Sequence, residues 1–491
     1  MKLYIKIPLV LALAATVFTG CEKIKDFGAT NVDPNRTTSP NTAALLTNVL
    51  QNISNRATQQ NPGYYCQYFA ETQYPGVSLY TLPQFNFDGF YAGAMYDCTN
   101  IINTASNPLT TAAAAANGSV NNQIAIAKIL NAYYYWTITD AWGDAPYSQA
   151  LSGGTIKFPV YDKQEDIYKG LISQLKEATA QFDAGNPVKG DIVYNGNVGK
   201  WKKFSNSLRM LMAMRLSKRF QTSGQYAANE FNAALADAAG SIETNADNFS
   251  VTYPGGSYNN PWFALYDGRK DVGQSTTFIA LLTGLNDKRQ LNNIYGSSQI
   301  GVPYGRNRDY MNNTWGAIFS ADQWSRVLNA NLRLNSGKVD IVHAAAVLFA
   351  RSEAKERGWS NATETLTAKQ LYDMAVNASF AQWGLNTSDA TSYLNNSLVA
   401  YGTASADNLN RIALQRYIAL YPDGLQGWCE WRRTGIPALT PAQDALNSGG
   451  KIPRRFVYGT NDYSTNPANV AAAAGRMTGG DSQDAKIWWD Q

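Results

Sequence analysis

The stretch at residues 200–220 constrains the fold of this chain more than any other. It reads KWKKFSNSLRMLMAMRLSKRF and contains no Gly or Pro. Its apolar residues recur at the spacing that places them on one face of a helix: Phe204, Leu208, Leu211 and Met212. Its basic residues, Lys202, Lys203, Arg209 and Lys218, fall mostly on other faces and are expected to be solvated. The stretch predicts a long amphipathic helix that packs into a large helical core.

The same helical signals recur along the chain. Residues 123–142 repeat the apolar spacing. Asp162 with Glu165, and Thr367 with Gln370, form the capping-box pattern that opens a helix. The sequence therefore predicts a fold dominated by α-helices.

Two regions, residues 63–93 and 249–335, break the helical pattern. Both are rich in Gly, Asn, Pro and aromatic residues. An irregular insertion as long as the second is either a functional lobe or a disordered segment, and its Trp and Tyr content argues against disorder. A chain of 491 residues also exceeds the size of about 250–300 residues at which one core stops growing. We therefore expect a helical scaffold with a second lobe that carries the function.

Residues 1–20 have the pattern of a secretory signal peptide. A charged start precedes an apolar run at residues 7–18, which is too short to span a bilayer because a spanning helix needs about 20 residues. Gly20 then precedes Cys21, as in the cleavage site of bacterial lipoproteins. The pattern predicts cleavage before Cys21 and acylation of its thiol, with an ordinary signal peptide and a chance cysteine as the alternative. Two or more acyl chains hold a protein stably on a membrane.

The charge balance argues against several classes of partner. The chain has 41 basic and 37 acidic residues and no block of Lys or Arg, which argues against binding to nucleic acid or anionic lipid. Charged residues make up only 16% of the chain, whereas Tyr, Asn, Gly and Ser are abundant. Such a surface suits neutral ligands with hydroxyl or amide groups better than phosphates.

Three cysteines remain when Cys21 is set aside: Cys66, Cys98 and Cys429. An odd number cannot pair completely, and Cys66 with Cys98 is the one pair close in sequence. Buried free thiols are the favoured state, with a Cys66–Cys98 disulfide as the alternative. The cysteine and histidine spacings match no metal site, so we expect neither a metal nor another cofactor.

The helix at residues 200–220 also belongs to a motif. Asp191, Tyr194 and Gly196 precede the run KW-x-KF-x-NSL, and together they resemble a signature of the SusD/RagB-like outer-membrane lipoproteins, in the branch of SusD-like nutrient-binding proteins. Further elements resemble the family in the right order: DAWGDAPY at 140–147, EAKERGW at 353–359, EWRRTGIP at 430–437, IPRRFVY at 452–458, YSTNPANV at 463–470 and WWD at 488–490. We interpret most of the C-terminal elements as structural, because such turns and Asn-Pro corners organise the backbone.

The resemblance implies an all-α-dominated fold, a tetratricopeptide-like scaffold of helical hairpins with an irregular aromatic-rich lobe. It implies a lipoprotein signal peptide at residues 1–20, a tether at 21–40 and a SusD-like domain at 41–491 with a ligand-binding lobe around 249–335. It also implies a cell-surface lipoprotein of the outer membrane that captures a nutrient, most often an oligosaccharide. The family delivers such cargo to a partner, a SusC-like TonB-dependent transporter.

An enzymatic function finds little support in the residues. His343 is the only histidine, a buried structural role is expected for it, and the chain has no Gly-x-Ser-x-Gly elbow. A glycoside hydrolase needs only two carboxylates, and Asp267, Asp271, Asp309 and Asp322 lie in the lobe. We therefore expect a binding protein without catalytic residues. A helical glycoside hydrolase and a peptide-binding or adhesion protein are the alternatives.

Capture of a neutral ligand needs aromatic planes with polar neighbours. Six aromatic residues of the irregular regions are predicted to contact it: Tyr80, Phe85, Trp262, Tyr304, Tyr310 and Trp315. Nearby polar side chains are predicted to bind hydroxyl or carbonyl groups: Arg306, Asn307, Asn312 and Asn313. The competing interpretation is that these rings form the lobe's own core, because a lobe without a long apolar helix must bury something.

Overall fold

The computed structural model describes residues 40–83, 85–359 and 362–491. The folded unit is Thr42–Gln491. The predicted signal peptide, Cys21 and all but the last residue of the predicted tether lie outside the described residues.

Helices dominate the folded unit, which confirms the predicted fold class. The longer ones are α1 (Thr42–Ala57), α2 (Tyr96–Ser106), α3 (Val120–Trp142), α4 (Gln164–Gln181), α5 (Val198–Arg215), α6 (Tyr226–Leu235), α7 (Ala344–Glu356), α8 (Ala368–Gln382), α9 (Ser405–Ala419) and α10 (Gly424–Thr434). Within the described ranges, none of the helices combines the length and the apolar character needed to cross a membrane.

Short helices and turns connect these elements. Short helices occur at Gln60–Tyr65, Asp88–Phe90, Thr111–Ala115, Pro261–Ala264, Thr276–Gly284, Lys288–Leu291, Arg308–Asn313, Gly316–Ser320, Thr387–Leu394, Thr460–Thr465 and Pro467–Gly475, with a π-helical turn at Tyr91–Met95. Single 3₁₀ turns occur at Val77–Leu79, Leu216–Lys218, Asn245–Asp247, Ala330–Leu332 and Trp488–Asp490.

Consecutive helices pack against each other as hairpins. Helix α1 packs on α2, α2 on α3, α3 on α4, α4 on α5 and α5 on α6. After the lobe, α7 packs on α8 and α9, and α9 on α10. Helix α7 also contacts α5, so the helices before and after the lobe share one scaffold. This arrangement is the tetratricopeptide-like one that the sequence predicted.

Helix α5 lies where the sequence predicted its longest helix, but its environment differs from the prediction. Every residue from Phe204 to Arg215 is buried, so the helix has no solvated flank over that span. The solvent-facing role expected for Arg209 is wrong, because only 2% of this residue is exposed. Its guanidinium donates to Asn206 Oδ1 at 3.3 Å and lies 3.9 Å from the Glu230 carboxylate. Polar partners from other elements make this burial possible, and helical periodicity does not reveal them.

One of the two predicted capping boxes is confirmed. Thr367 and Gln370 exchange the reciprocal hydrogen bonds of a capping box at the start of α8. The box predicted at Asp162 is wrong. That carboxylate instead accepts the backbone N–H groups of Tyr147 and Ser148, each at 2.9 Å, and so fixes the turn before α4.

Three two-stranded antiparallel sheets tie the irregular regions together. The pairs are β1 (Phe69–Glu71) with β5 (Val272–Gln274), β2 (Ala145–Pro146) with β3 (Tyr161–Asp162), and β4 (Phe249–Thr252) with β6 (Lys338–Val342). The β4–β6 pair joins the two ends of the lobe at the scaffold. The β1–β5 pair joins the 63–93 region to the lobe, with Ala70 opposite Gly273. A Cβ at Gly273 would lie 2.4 Å from Val302 and 2.8 Å from Trp324, so only glycine fits there.

The lobe consists of short elements, the longest being the nine-residue helix Thr276–Gly284. Part of it packs around a small core of its own, separate from the main core of the scaffold. That small core contains Ala70, Val302, Met311, Trp315 and Trp324. Because Ala70 comes from β1, the 63–93 region and the lobe share this core.

Conserving the chain path, rather than binding a ligand, is the role of several motif residues in the scaffold. Asp140 Oδ1 accepts Trp489 Nε1 at 2.8 Å and also accepts the Tyr168 hydroxyl. Its second oxygen lies 3.5 Å from Arg215 Nε and 3.6 Å from Cys429 Sγ. The motifs at 140–147, 430–437 and 488–490 therefore meet in one buried cluster with α5, in agreement with their structural interpretation.

The three described cysteines, Cys66, Cys98 and Cys429, are free and buried. Burial raises the pKa of all three thiols, to about 12 for Cys429. The structure thus has the favoured thiol state and lacks the alternative Cys66–Cys98 disulfide.

Candidate functional site

Tyr80 and Tyr304 connect the 63–93 region to the lobe. The Tyr304 hydroxyl donates to the carbonyl oxygen of Tyr64 at 2.8 Å, and the Tyr80 hydroxyl lies 3.1 Å from it. The backbone N–H of Ala442 donates to the Tyr80 hydroxyl at 2.9 Å. Burial raises the pKa of both phenols. These bonds fix the floor of a face formed by three distant segments.

Three of the six predicted ligand-contacting rings are core residues. Tyr80 is fully buried, Trp262 is 3% exposed and Trp315 is 4% exposed. The Trp315 ring packs against Trp324, with ring centroids 6.1 Å apart, and the Trp262 ring packs edge-on against Phe69 at 6.1 Å. For these three rings the structure favours the competing interpretation, because neighbouring side chains cover their faces.

The other three rings are less enclosed. Tyr304 is half-buried, and Phe85 is half-buried against Phe456 with ring centroids 4.5 Å apart. Tyr310 is half-buried beneath the guanidinium of Arg306, whose central carbon lies 4.1 Å from the ring centroid. Of the six, Tyr310 is the ring that reaches the outer surface of the lobe beside an arginine.

The most exposed ring on this face is one that the sequence reasoning missed. Tyr74, in the 63–93 region, is 60% exposed, and the Arg308 guanidinium lies 5.0 Å from its ring centroid. Tyr74, Arg306, Arg308 and Tyr310 form what we call the tyrosine–arginine surface. The available signal was weak: Tyr74 stands between Gln and Pro in a loop, as an isolated aromatic residue among polar ones.

The residues of the short helix Arg308–Asn313 are positioned by hydrogen bonds from its first turn. Asn307 Oδ1 accepts the N–H of Tyr310 at 3.0 Å, and the N–H of Asn307 donates to Asp444 Oδ2 at 2.8 Å. Arg306 bonds to Gln443 and lies 3.6 Å from Asp444. Arg306 and Asn307, predicted to bind the ligand, therefore also hold this segment in place. Asn312 and Asn313 are exposed.

A groove of about 540 Å³ lies beside residues 443–447, the segment that Arg306 contacts. Its lining includes Thr81, Leu82, Leu446, Asn447 and Asp484. Two hydrogen bonds hold its walls together: Leu446 N–H to the Leu79 carbonyl at 2.7 Å, and Gln483 Nε2 to the Tyr80 carbonyl at 3.0 Å. Leu82 and Leu446 expose 56% and 64% of their surface at the groove. We call this feature the groove.

Two oxygen atoms of groove residues lack a hydrogen-bond donor. Asn447 Oδ1 and Asp484 Oδ1 are both buried, and no donor reaches either from the described residues. Asn447 Nδ2 donates to the Lys451 carbonyl at 2.8 Å, which fixes the orientation of the amide. Buried acceptors without donors are costly, so a ligand that carries hydroxyl or N–H groups fits here.

The lobe carboxylates that a glycoside hydrolase would need are partly engaged in ion pairs. Asp271 accepts Arg269 Nε at 2.6 Å, and Asp322 accepts Lys270 Nζ at 3.0 Å. Hydrogen bonds from Arg326 and Lys270 lower the pKa of Asp322, which disfavours a role as a general acid. Among the described residues, no group of three or more His, Cys, Asp or Glu side chains could hold a metal ion.

The histidine lies elsewhere, at the start of α7. His343 Nδ1 accepts the N–H of Ala346 at 3.3 Å, so the ring caps the helix. Burial lowers the pKa of its imidazole to about 4, partly opposed by Asp340. This neutral, buried ring agrees with the structural role expected from the sequence.

A family model for SusD-like proteins, described as "Starch-binding associating with outer membrane", matches residues 34–459. The chain belongs to the SusD-like family. No curated protein sequence matches it.

Solved structures of SusD-like proteins share the fold over nearly the whole chain. One, named a chitin-binding protein, is 26% identical with a TM-score of 0.74, and the alignment covers 92% of this chain and 100% of that one. A SusD homolog from Bacteroides uniformis is 25% identical with a TM-score of 0.74, covering 92% and 99%. A chitin-binding SusD homolog from Flavobacterium johnsoniae, 23% identical with a TM-score of 0.76 and covering 92% and 98%, shows the fold alone.

Proposed function

We propose that this SusD-like protein binds oligosaccharides at the tyrosine–arginine surface and the adjoining groove. The observation that carries the proposal is the exposed ring of Tyr74, stacked near Arg308, on the same face as two unpaired acceptor oxygens in the groove. The segment at residues 443–447 links the two features, because Gln443 contacts Arg306 while Asn447 lines the groove.

The chemistry of this face suits a neutral, hydroxylated chain. The apolar face of a sugar ring stacks on Tyr74 or Tyr310, and each aromatic contact contributes about 0.5–1.5 kcal/mol beyond its buried area. Sugar hydroxyls donate to Asn447 Oδ1 and Asp484 Oδ1 and accept from the Arg308 guanidinium. A few such contacts correspond to a dissociation constant in roughly the micromolar to millimolar range, which suits capture followed by release. The chitin-binding name of the 26% identical structure supports a glycan ligand.

The six rings predicted from the sequence enter this proposal unequally. Tyr310 and Tyr304 contribute at the surface, and Phe85 supports the wall through Phe456. Tyr80 lines the groove, while Trp262 and Trp315 support the face from the core.

The function proposed is binding without catalysis. Among the lobe acids, Asp271 and Asp322 are held in ion pairs. The family description names starch binding and gives no reaction. A helical glycoside hydrolase therefore remains the weaker alternative, and incubation with the bound glycan followed by product analysis tests it.

The family also supports the remaining parts of the proposal. We place the protein on the outer membrane, facing the cell exterior, anchored by acyl groups on Cys21. We propose a SusC-like TonB-dependent transporter as its partner, to which it passes the glycan. Co-purification from detergent-solubilised outer membranes tests this partnership, and a transporter that never co-purifies with the wild-type lipoprotein would contradict it.

The binding site is tested by calorimetric titration with a chitin hexasaccharide, with maltoheptaose and with a peptide of similar length. We expect at least one of the two glycans to bind and the peptide not to bind. Tyr74→Ala is expected to weaken glycan binding roughly tenfold, the loss of one aromatic contact with its buried area. Tyr258→Ala is the matched control, because Tyr258 is 53% exposed in the separate Gly255–Tyr258 turn. Equal effects of the two substitutions, or binding of the peptide alone, would contradict the proposal.

A further inference from the structure

A second cavity, of about 140 Å³, lies at the base of the lobe, apart from the groove. It is formed where β6 meets the C-terminal end of α8 and the segment between α9 and α10, and none of its lining residues lines the groove. A buried water needs roughly 10–15 Å³ on this measure, so the cavity has room for a ligand several times larger than water.

Aromatic rings form part of the cavity lining. Trp262 and Tyr421 are 3% and 1% exposed, and Trp383 packs edge-on against Tyr295 with ring centroids 5.4 Å apart. The Tyr421 hydroxyl donates to the Tyr295 carbonyl at 2.8 Å, which leaves the ring as an apolar wall. The cavity therefore offers apolar surfaces to a ligand.

Adjacent residues of the lining supply one unpaired donor and one unpaired acceptor. Trp383 Nε1 and Gln382 Oε1 are both buried, and within the described ranges neither has a hydrogen-bond partner. Gln382 Nε2 donates to Asp340 Oδ2 at 3.1 Å, so the amide orientation is fixed and Oε1 is an acceptor. Each buried unpaired group costs about 1–3 kcal/mol, which a ligand with matching groups relieves.

His343 adds a further donor. Its Nδ1 accepts the N–H of Ala346, so the proton of the neutral ring is on Nε2. The ring lines the cavity and is uncharged at neutral pH, since burial lowers its pKa to about 4.

The charges of the lining are largely balanced. The Asp340 carboxylate lies 3.0 Å from Lys338 Nζ, and Asp423 accepts the N–H of Gln426 at 3.1 Å as the cap of α10. Burial raises the pKa of Asp423 to about 7, so its negative charge is weakened at neutral pH. The lining therefore favours an uncharged ligand over an anion or a cation.

We propose that this cavity binds one small uncharged polyol ring, such as a free monosaccharide, between the rings of Trp262 and Trp383. The unpaired Trp383 Nε1 donates to a ligand oxygen, and Gln382 Oε1 accepts a ligand hydroxyl. The site is independent of the oligosaccharide face proposed above, and either can fail without the other.

Saturation-transfer NMR and calorimetry on the full folded domain test the site. The uncharged probes are glucose, N-acetylglucosamine and myo-inositol, and the charged probes are glucosamine and glucuronate. At least one uncharged probe is expected to bind more tightly than both charged probes. Failure of all three uncharged probes to bind, or preferential binding of a charged probe, overturns the proposal.

Three variants locate the binding. Trp383→Phe removes the indole N–H but keeps a ring against Tyr295, and is expected to raise the dissociation constant of the bound probe roughly two- to tenfold. Asn331→Trp places a bulky ring on an exposed lining residue and is expected to abolish binding. Leu334→Trp is the control, because Leu334 is 52% exposed in the same loop and does not line the cavity.

Oligosaccharide titrations of the same variants separate the two sites. Asn331→Trp should leave binding of the chitin hexasaccharide or maltoheptaose unchanged, while Tyr74→Ala should leave monosaccharide binding unchanged. Monosaccharide binding that survives both Asn331→Trp and Trp383→Phe, or that is lost in Tyr74→Ala, overturns the proposed cavity site.

Discussion

Arg433 and Glu353 face each other through two charge-assisted hydrogen bonds, Nη2 to Oε2 at 2.7 Å and Nη1 to Oε1 at 2.5 Å. Only 1% and 2% of the two side chains is exposed. Glu430 accepts Arg433 Nη2 at 2.6 Å, and Arg416 lies 3.7 Å from Glu353 and 3.6 Å from Glu430. Two carboxylates and two guanidinium groups therefore balance each other inside the scaffold, where they join α7, α9 and α10.

Removing one charge from this group is expected to destabilise the fold strongly. Burial disfavours the Glu353 carboxylate, but Arg433, Arg357 and Arg416 outweigh it and hold its pKa at about 2. Glu353→Gln leaves the buried guanidinium groups short of negative charge, and we expect it to lower the free energy of unfolding by about 3–5 kcal/mol at pH 7. Glu165→Gln, in an exposed pair with Lys169, is the matched control and should cost less than about 1 kcal/mol. Denaturant titration measures both, and similar losses in the two variants would contradict the prediction.

His343 is expected to make the domain less stable as the pH falls. Burial lowers the pKa of its imidazole from 6.5 to about 4, so the unfolded chain binds a proton between these values while the folded chain does not. Stability is therefore lost as the pH drops through that window, by roughly 3 kcal/mol in total.

The variant His343→Asn keeps a side-chain acceptor at the start of α7 and removes the titration. The free energy of unfolding of the wild type, minus that of the variant, should decrease by this amount between pH 6.5 and pH 4. A difference that stays constant over the same range would show that the histidine does not titrate as inferred.

Trp315 and Tyr74 are expected to respond oppositely to alanine substitution. Trp315 is 4% exposed in the small core of the lobe, so Trp315→Ala should lower the free energy of unfolding by about 3–5 kcal/mol if the lobe unfolds with the domain. Tyr74 is 60% exposed, and Tyr74→Ala should change it by no more than about 0.5 kcal/mol while weakening glycan binding. Thermal and chemical unfolding of the two variants, run beside the titrations, check this. A stable Trp315→Ala variant would mean that the ring is not a core residue.

Asp484 is expected to contribute to binding at no benefit to the free protein. Its Oδ1 is buried without a donor among the described residues, so Asp484→Ala should leave the melting temperature unchanged or slightly raised. Loss of this acceptor should weaken glycan binding roughly tenfold, the effect of a hydrogen bond to a charged group. The control is Asp407→Ala at an exposed position on α9. Unchanged affinity in the Asp484→Ala variant would exclude the groove from the binding site.

Cys21 is expected to determine the cellular location. Cys21→Ser removes the thiol that would carry the acyl groups, so the variant should leave the membrane fraction, in which the wild type is expected. Cell fractionation followed by immunoblotting measures this. The buried Cys98→Ser variant controls for the loss of a thiol as such. A Cys21→Ser protein that remains entirely in the membrane pellet would rule out lipidation as the anchor.

The sequence predicted the helical scaffold well because helical periodicity is a local property. Helix α5 begins at Val198, two residues before its predicted start at Lys200. The burial of Arg209 was not predictable, because its burial depends on packing by other elements, including the partner Glu230 on α6.

The ligand-binding face was less predictable than the scaffold for the same reason. Trp315 has polar sequence neighbours, yet Trp324 and Phe319 cover it after the lobe folds. Tyr74 stays exposed beside Arg308, a residue more than two hundred positions away in the sequence. Composition identified the two irregular regions that meet at the face, but it could not rank their rings by exposure.

The hydrogen bonds that close the groove have a consequence for the order of folding. Ala442 reaches Tyr80 across 362 positions of the sequence, and Gln483 reaches it across 403. Contacts of such long range generally form after local helical ones, because the chain between them must first be ordered. A chain released early from the ribosome, or cut before residue 440, has one wall of the groove and lacks the other. Ligand capture is thus a property of the finished polypeptide, acquired only at the last stage of its folding.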